Sequence, residues 1–134
     1  DPVVQKGENL FLKAGCGKCH TPKLSTAPNA ELRQAAGQTI FPYTDMLLHD
    51  MGEGLADNRP EFRANGREWR TPPLWGVGKT ELVNGHTYFL HDGRARNFKE
   101  AILWHGGEAQ KSVEFFRNLS REEREAIIAF LQSL

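Results

Sequence analysis

Cys16-Gly17-Lys18-Cys19-His20 is the stretch on which the reading of this chain turns. Two cysteines three positions apart face the same way on one turn of helix, and the residue after the second can turn its side chain towards a metal. A Cys-x-x-Cys-His run of this kind reads as the attachment site of a c-type haem: two thiols for the two vinyl groups, one imidazole for the iron. The competing readings are a redox dithiol and half of a structural zinc site. The chain has two cysteines in all, so no further thiolates exist to complete a zinc set, and His20 has no task in a plain dithiol switch. The expectation is one covalently attached haem c, held by Cys16 and Cys19, with His20 as the proximal ligand to its iron.

A chain of 134 residues fits one domain, long enough to bury a core or to wrap a planar cofactor. Seventeen basic residues balance seventeen acidic ones, so no overall charge favours nucleic acid or an anionic membrane surface. The apolar runs are far shorter than the roughly 20 residues that span a bilayer, and the opening Asp1-Pro2-Val3-Val4-Gln5-Lys6 has no apolar signal core. Covalent haem attachment takes place outside the bacterial cytoplasm, so the chain is expected to be periplasmic or otherwise extracytoplasmic. It reads as a mature product or a domain excised from a longer parent.

Taken in order, residues 3 to about 14 place Val3, Val4, Leu10, Phe11 and Ala14 on one helical side with Gly7, and the helix is expected to break at Gly15. This spacing of Gly7, Phe11 and Gly15-Cys16 resembles the first helix of class I cytochromes c, in which a small residue lets a terminal helix cross closely. Thr21 to Phe41, with Pro22 and Pro28, reads as a long loop containing extended pieces. Pro42-Tyr43-Thr44-Asp45 offers capping residues ahead of Met46, Leu47 and Leu48, and Gly52 and Gly54 end the short helix expected there. Residues 55 to 68 read as a surface loop. Two tryptophans, a leucine and two prolines between Trp69 and Trp75 suit an apolar, irregular segment beside a haem. Asn97 and Glu100 cap a helix that runs to about Trp104 and stops at Gly106-Gly107. Ser120 and Glu123 form a capping box for a last helix whose stripe is Ala126, Ile127, Phe130, Leu131 and Leu134.

Four pieces go further: His49-Asp50-Met51-Gly52, Glu68-Trp69-Arg70-Thr71-Pro72-Pro73-Leu74-Trp75-Gly76, Leu90-His91-Asp92-Gly93-Arg94-Ala95 and Trp104-His105-Gly106-Gly107-Glu108-Ala109. Together they resemble the C-terminal haem domain of the di-haem thiol oxidoreductase-like proteins, a branch of the bacterial di-haem cytochrome c peroxidase superfamily. The likeness runs from Gly7 to Leu134. It implies a peroxidatic and an electron-transfer haem in the full enzymes, whereas this chain has one Cys-x-x-Cys-His. What the resemblance implies here is an electron-transferring domain, working alone or cut from a longer parent, with redox partner proteins or a second haem domain as partners.

The sixth iron position has several claimants. A thioether opposite histidine raises the reduction potential and suits a one-electron carrier, and the chain offers Met46 and Met51. Met51, just before Gly52, is the favoured ligand. In the superfamily the methionine precedes the His-Asp-Gly motif, where this chain has Leu90, so His91, His49 or an open site stay in contention. His86 and His105 read as surface or core-edge residues. Buried haem propionates need donors, which points to Arg70 and to the indole N–H of Trp69, with Arg94 and Arg96 as further candidates.

The resulting expectation is a mostly α, class I cytochrome c-like single haem domain over residues 1–134, with long loops and with its first and last helices crossing near the haem. Its function would be one-electron transfer. The rival readings are a peroxidase-like or thiol-oxidising haem with an open distal site, served by His91 or His49, and a haem-based sensor module.

Overall fold

A computed structural model describes all residues, 1–134. Helix α1, Pro2–Lys13, starts where the Asp1 carboxylate accepts the Val3 N–H and Pro2 supplies a helix-ready φ. It stops before Gly15, which turns with φ 86°, a left-handed conformation that glycine adopts without penalty. A single 3₁₀ turn, Cys16–Lys18, follows. The loop expected from Thr21 to Phe41 carries two short antiparallel strands, β1 Leu24–Ser25 and β2 Thr39–Ile40, with Leu24 opposite Ile40.

The helix expected after Pro42 does not form. Tyr43 and Met46 both take positive φ, 52° and 63°, and the capping residues bond locally. The Thr44 hydroxyl accepts the Met46 N–H and the Asp45 carboxylate accepts the Leu47 N–H, turns that compete with helix. The chain then runs as strand β3, Leu48–Asp50, antiparallel to β4, Glu68–Arg70, with Leu48 opposite Arg70 and His49 opposite Trp69. The ladder with a distant segment supplies the backbone bonds that a local helix would have made.

The second half is helical: α2 Thr80–Asn84, α3 Phe98–Trp104, α4 Gln110–Asn118 and α5 Arg121–Ser133. Asn97 caps α3 by accepting the Glu100 N–H, and the Ser120–Glu123 box caps α5 in both directions. Helices α2 and α4 go beyond the expected elements. In α4 only Val113 and Phe116 are buried, too thin a stripe to read in isolation.

The core lies where α1 crosses α5. Phe11, Tyr43, Phe116, Ile127, Phe130 and Leu131 form one buried cluster. Ring centres are 5.3 Å apart for Phe11–Phe130 and 5.6 Å for Tyr43–Phe130. The mostly α architecture and the crossing of the first and last helices are therefore as the sequence predicts. No helix is long and apolar enough to cross a membrane.

Candidate haem site

The Cys-x-x-Cys-His stretch is fastened to the core from two sides. After the 3₁₀ turn the Cys19 N–H and the His20 N–H both donate to the Cys16 carbonyl, the latter at 2.9 Å, which keeps the two thiols on one turn. Residues 19–21 then bond to the chain after Pro42: the Asp45 N–H donates to the Cys19 carbonyl at 2.8 Å and the Thr44 N–H to the Thr21 carbonyl at 3.0 Å. His20 itself donates from Nδ1 to the Tyr43 carbonyl at 3.1 Å. A carbonyl only accepts, so Nδ1 carries the proton and Nε2 keeps its lone pair for a metal. Phe11 closes the inner side, its ring centre 6.2 Å from that of His20.

Electrostatics bears on the readings of this motif. Burial pushes the Cys16 thiol up to about 11, and burial with the nearby Asp45 and Glu108 carboxylates also raises Cys19. Redox and zinc-binding cysteines depend on a thiolate; both thiols here are neutral and unpaired. Burial lowers His20 to about 4, so its imidazole is neutral, as an iron ligand must be. Two unpaired sulfurs on one turn beside a neutral imidazole with Nδ1 already anchored form a donor set that fits a c-type haem. Met46, Leu47 and Leu48, which follow directly on the segment that anchors His20, are more than half exposed, as expected of side chains that meet an apolar cofactor edge.

A second cluster adjoins it. The ligand atoms of Cys19, Asp45 and His49 lie within 4.8 Å of one another. His49 is spent, however, with Nε2 2.8 Å from Asp45 Oδ2 and Nδ1 2.8 Å from Glu108 Oε2. Those two carboxylates, Glu108 foremost, raise the His49 pKa, and a histidine that donates from both nitrogens has no lone pair to offer iron or a transition metal.

The other candidates fall in separate places. Met51 follows β3, donates its N–H to the Arg67 carbonyl and packs its own carbonyl against Gly106. His91 stacks on Trp69 with ring centres 3.6 Å apart and planes at 11°. The Trp69 N–H donates to the Leu55 carbonyl at 3.0 Å, so this tryptophan props up the β3–β4 region. Arg70 has no carboxylate partner; its guanidinium lies 3.5 Å from the Thr71 carbonyl and 3.8 Å from the Met46 sulfur. Arg94 is tied to Asp92 at 2.7 Å and lies over the Trp104 ring, and Arg96 pairs with Glu100. His86 is exposed and stacks on Tyr88.

His105, read from the sequence as a surface or core-edge residue, stands beside the motif. Its ring centre is 6.5 Å from that of His20, and burial lowers its pKa as well. The local signs of a special role are its place in the Trp104–Ala109 piece and its position as the C-cap of α3, ahead of two glycines.

The family model described as "Di-haem oxidoreductase, putative peroxidase" matches residues 1–134. No curated protein and no solved structure matches the chain.

Proposed function

The chain belongs to the di-haem oxidoreductase family, whose members are haem-binding oxidoreductases, and on that premise we propose that residues 1–134 form an electron-transferring domain with one covalently attached haem c. A bound haem supplies a reversible one-electron couple at its iron. The chain's own residues do the rest. Cys16 and Cys19 attach the porphyrin edge, His20 presents Nε2 to the iron, and the Tyr43 carbonyl fixes the orientation of that imidazole. Arg70, free of carboxylate partners, would neutralise a propionate. The observation that carries this reading is the Tyr43-anchored, neutral His20 beside two unpaired sulfurs on the same turn.

Electron transfer is favoured over peroxide or thiol chemistry by the state of the histidines suited to acid–base work. His49 has both ring nitrogens on carboxylates, and His91 is stacked face-on against Trp69. His49 therefore has no nitrogen free to exchange a proton with a bound substrate, which leaves His91 as the one acid–base candidate of the two. The class I cytochrome c-like description belongs to this proposal, supported by the crossing of α1 and α5 at Gly7. So does an extracytoplasmic location, which follows from covalent attachment. The partners are a redox protein or a second haem domain.

The test is direct. Protein matured with the haem-attachment machinery is expected to keep its pigment through acidified organic solvent and to give one reversible one-electron wave by film voltammetry. Colourless protein, or pigment lost to the solvent, removes the proposal. Rapid peroxide turnover by the isolated domain replaces it with the peroxidase reading.

A further inference from the structure

We propose that His105 is the second axial ligand, so that the iron is held between two histidines, His20 and His105. The inference rests on the haem reading above and adds the identity of the distal residue.

Distance is the first argument. Nitrogens about 2 Å from a shared metal on either side place two imidazole ring centres roughly 6.3 Å apart. The His20 and His105 ring centres are 6.5 Å apart. Their planes cross at 49°, and axial imidazoles are free to take different angles about the ligand axis.

Hydrogen bonding is the second. His105 Nδ1 lies 2.7 Å from the Ala101 carbonyl, as His20 Nδ1 lies 3.1 Å from that of Tyr43. In both rings the carbonyl assigns the proton to Nδ1 and leaves the lone pair on Nε2, the outer-shell pattern of ligating histidines. The hydrogen bonds of both rings go through Nδ1, and no buried side-chain nitrogen or oxygen in the protein lacks a partner. Both Nε2 atoms are therefore open rather than sealed in the core.

Rigidity is the third. His105 caps α3 through its N–H to the Ile102 carbonyl, and the glycines after it are seated on the exit of β3. A Cβ on Gly106 would lie 2.9 Å from the Met51 carbonyl, and one on Gly52 would lie 2.9 Å from the Gly107 N–H nitrogen. Gly107 has φ 52° and rests on the Asp50 carbonyl. This backbone lock holds the imidazole at the end of α3. The same contact places Met51 next to His105, yet it joins Met51 to the site through its main chain. Leu90 has no donor atom, and the nitrogens of His49 are engaged.

Two nitrogen ligands give a low-spin iron with a lower potential than a histidine–methionine pair, and they leave no open position for peroxide. In the haem-loaded protein, near-infrared magnetic circular dichroism is expected to show a low-spin ferric haem without a sulfur-to-iron charge-transfer band. His105→Gly is expected to turn most of the haem high-spin, and added imidazole to return it to low-spin. Met51→Leu is expected to leave the spectrum unchanged. A sulfur-to-iron band in the parent protein that Met51→Leu abolishes, or a low-spin His105→Gly protein without imidazole, would overturn the assignment. Should the glycine variant not fold, the band in the parent protein and the Met51→Leu comparison decide. Covalent haem with a sulfur band defeats the ligand alone, whereas absence of acid-stable haem defeats the haem reading and the ligand together.

Discussion

Gly7 in α1 is seated on the main-chain carbonyl of Ala126 in α5, so closely that a Cβ at residue 7 would overlap that oxygen and come within 2.8 Å of the Phe130 Cβ. Phe130 in turn packs at a tilt against Phe11 and edge-to-face against Tyr43, and Tyr43 holds His20. The crossing thus sets the distance from the helix pair to His20.

Gly7→Val is expected to destabilise the domain by about 3 kcal/mol, because α1 must lift off α5 against backbone that cannot move aside. Urea unfolding followed by circular dichroism measures the loss. A shift in the His20-linked haem spectrum before the unfolding transition would show the strain reaching the site.

Ser120→Ala removes one half of the reciprocal cap of α5. The Ser120 hydroxyl accepts the Glu123 N–H and the Glu123 carboxylate accepts the Ser120 N–H. The expected cost is about 1 kcal/mol, read as a lowered urea midpoint with an unchanged slope.

His49 gives the stability a pH dependence. Its pKa is raised above the ordinary 6.5, first by Glu108 and then by Asp45. A histidine of this kind contributes stability that is fully present below pH 6.5 and is lost as pH rises through its folded pKa. The parent protein is expected to lose urea resistance between pH 6.5 and the alkaline side of that pKa, and His49→Gln to flatten this part of the curve. Equal slopes for the two proteins would show that the cluster does not titrate in this window.

Arg70→Gln tests the propionate assignment. Removing a nearby positive charge favours the oxidised haem, and a charge worth about 1 kcal/mol corresponds to roughly 40 mV for a one-electron couple. The expected result is a potential lowered by that amount with an unchanged iron spin state. An unchanged potential would return Arg70 to the role of a solvated cation.

Much of the fold is legible within a few residues of sequence because its causes are local. The Cys16–His20 spacing, the caps at Asn97 and Ser120, the break at Gly15 and the stripe Ala126–Leu131 are each decided by groups that touch along one helix or turn. The same local logic goes astray at Leu48–Asp50. There the capping residues are real but bond into turns, and a ladder with Glu68–Arg70 outweighs helix propensity.

The sequence by itself picked out the Cys16–His20 run on which the haem proposal rests, and it determined that the first and last helices would pack through Gly7. Only the tertiary structure decided that His49 would be consumed by Asp45 and Glu108, that the Trp69 N–H would go to Leu55, and that the His105 ring would come within 6.5 Å of that of His20. Covalent spacing and caps depend on neighbours along the chain. Hydrogen-bond partners and ring separations depend on which distant segments the core brings together.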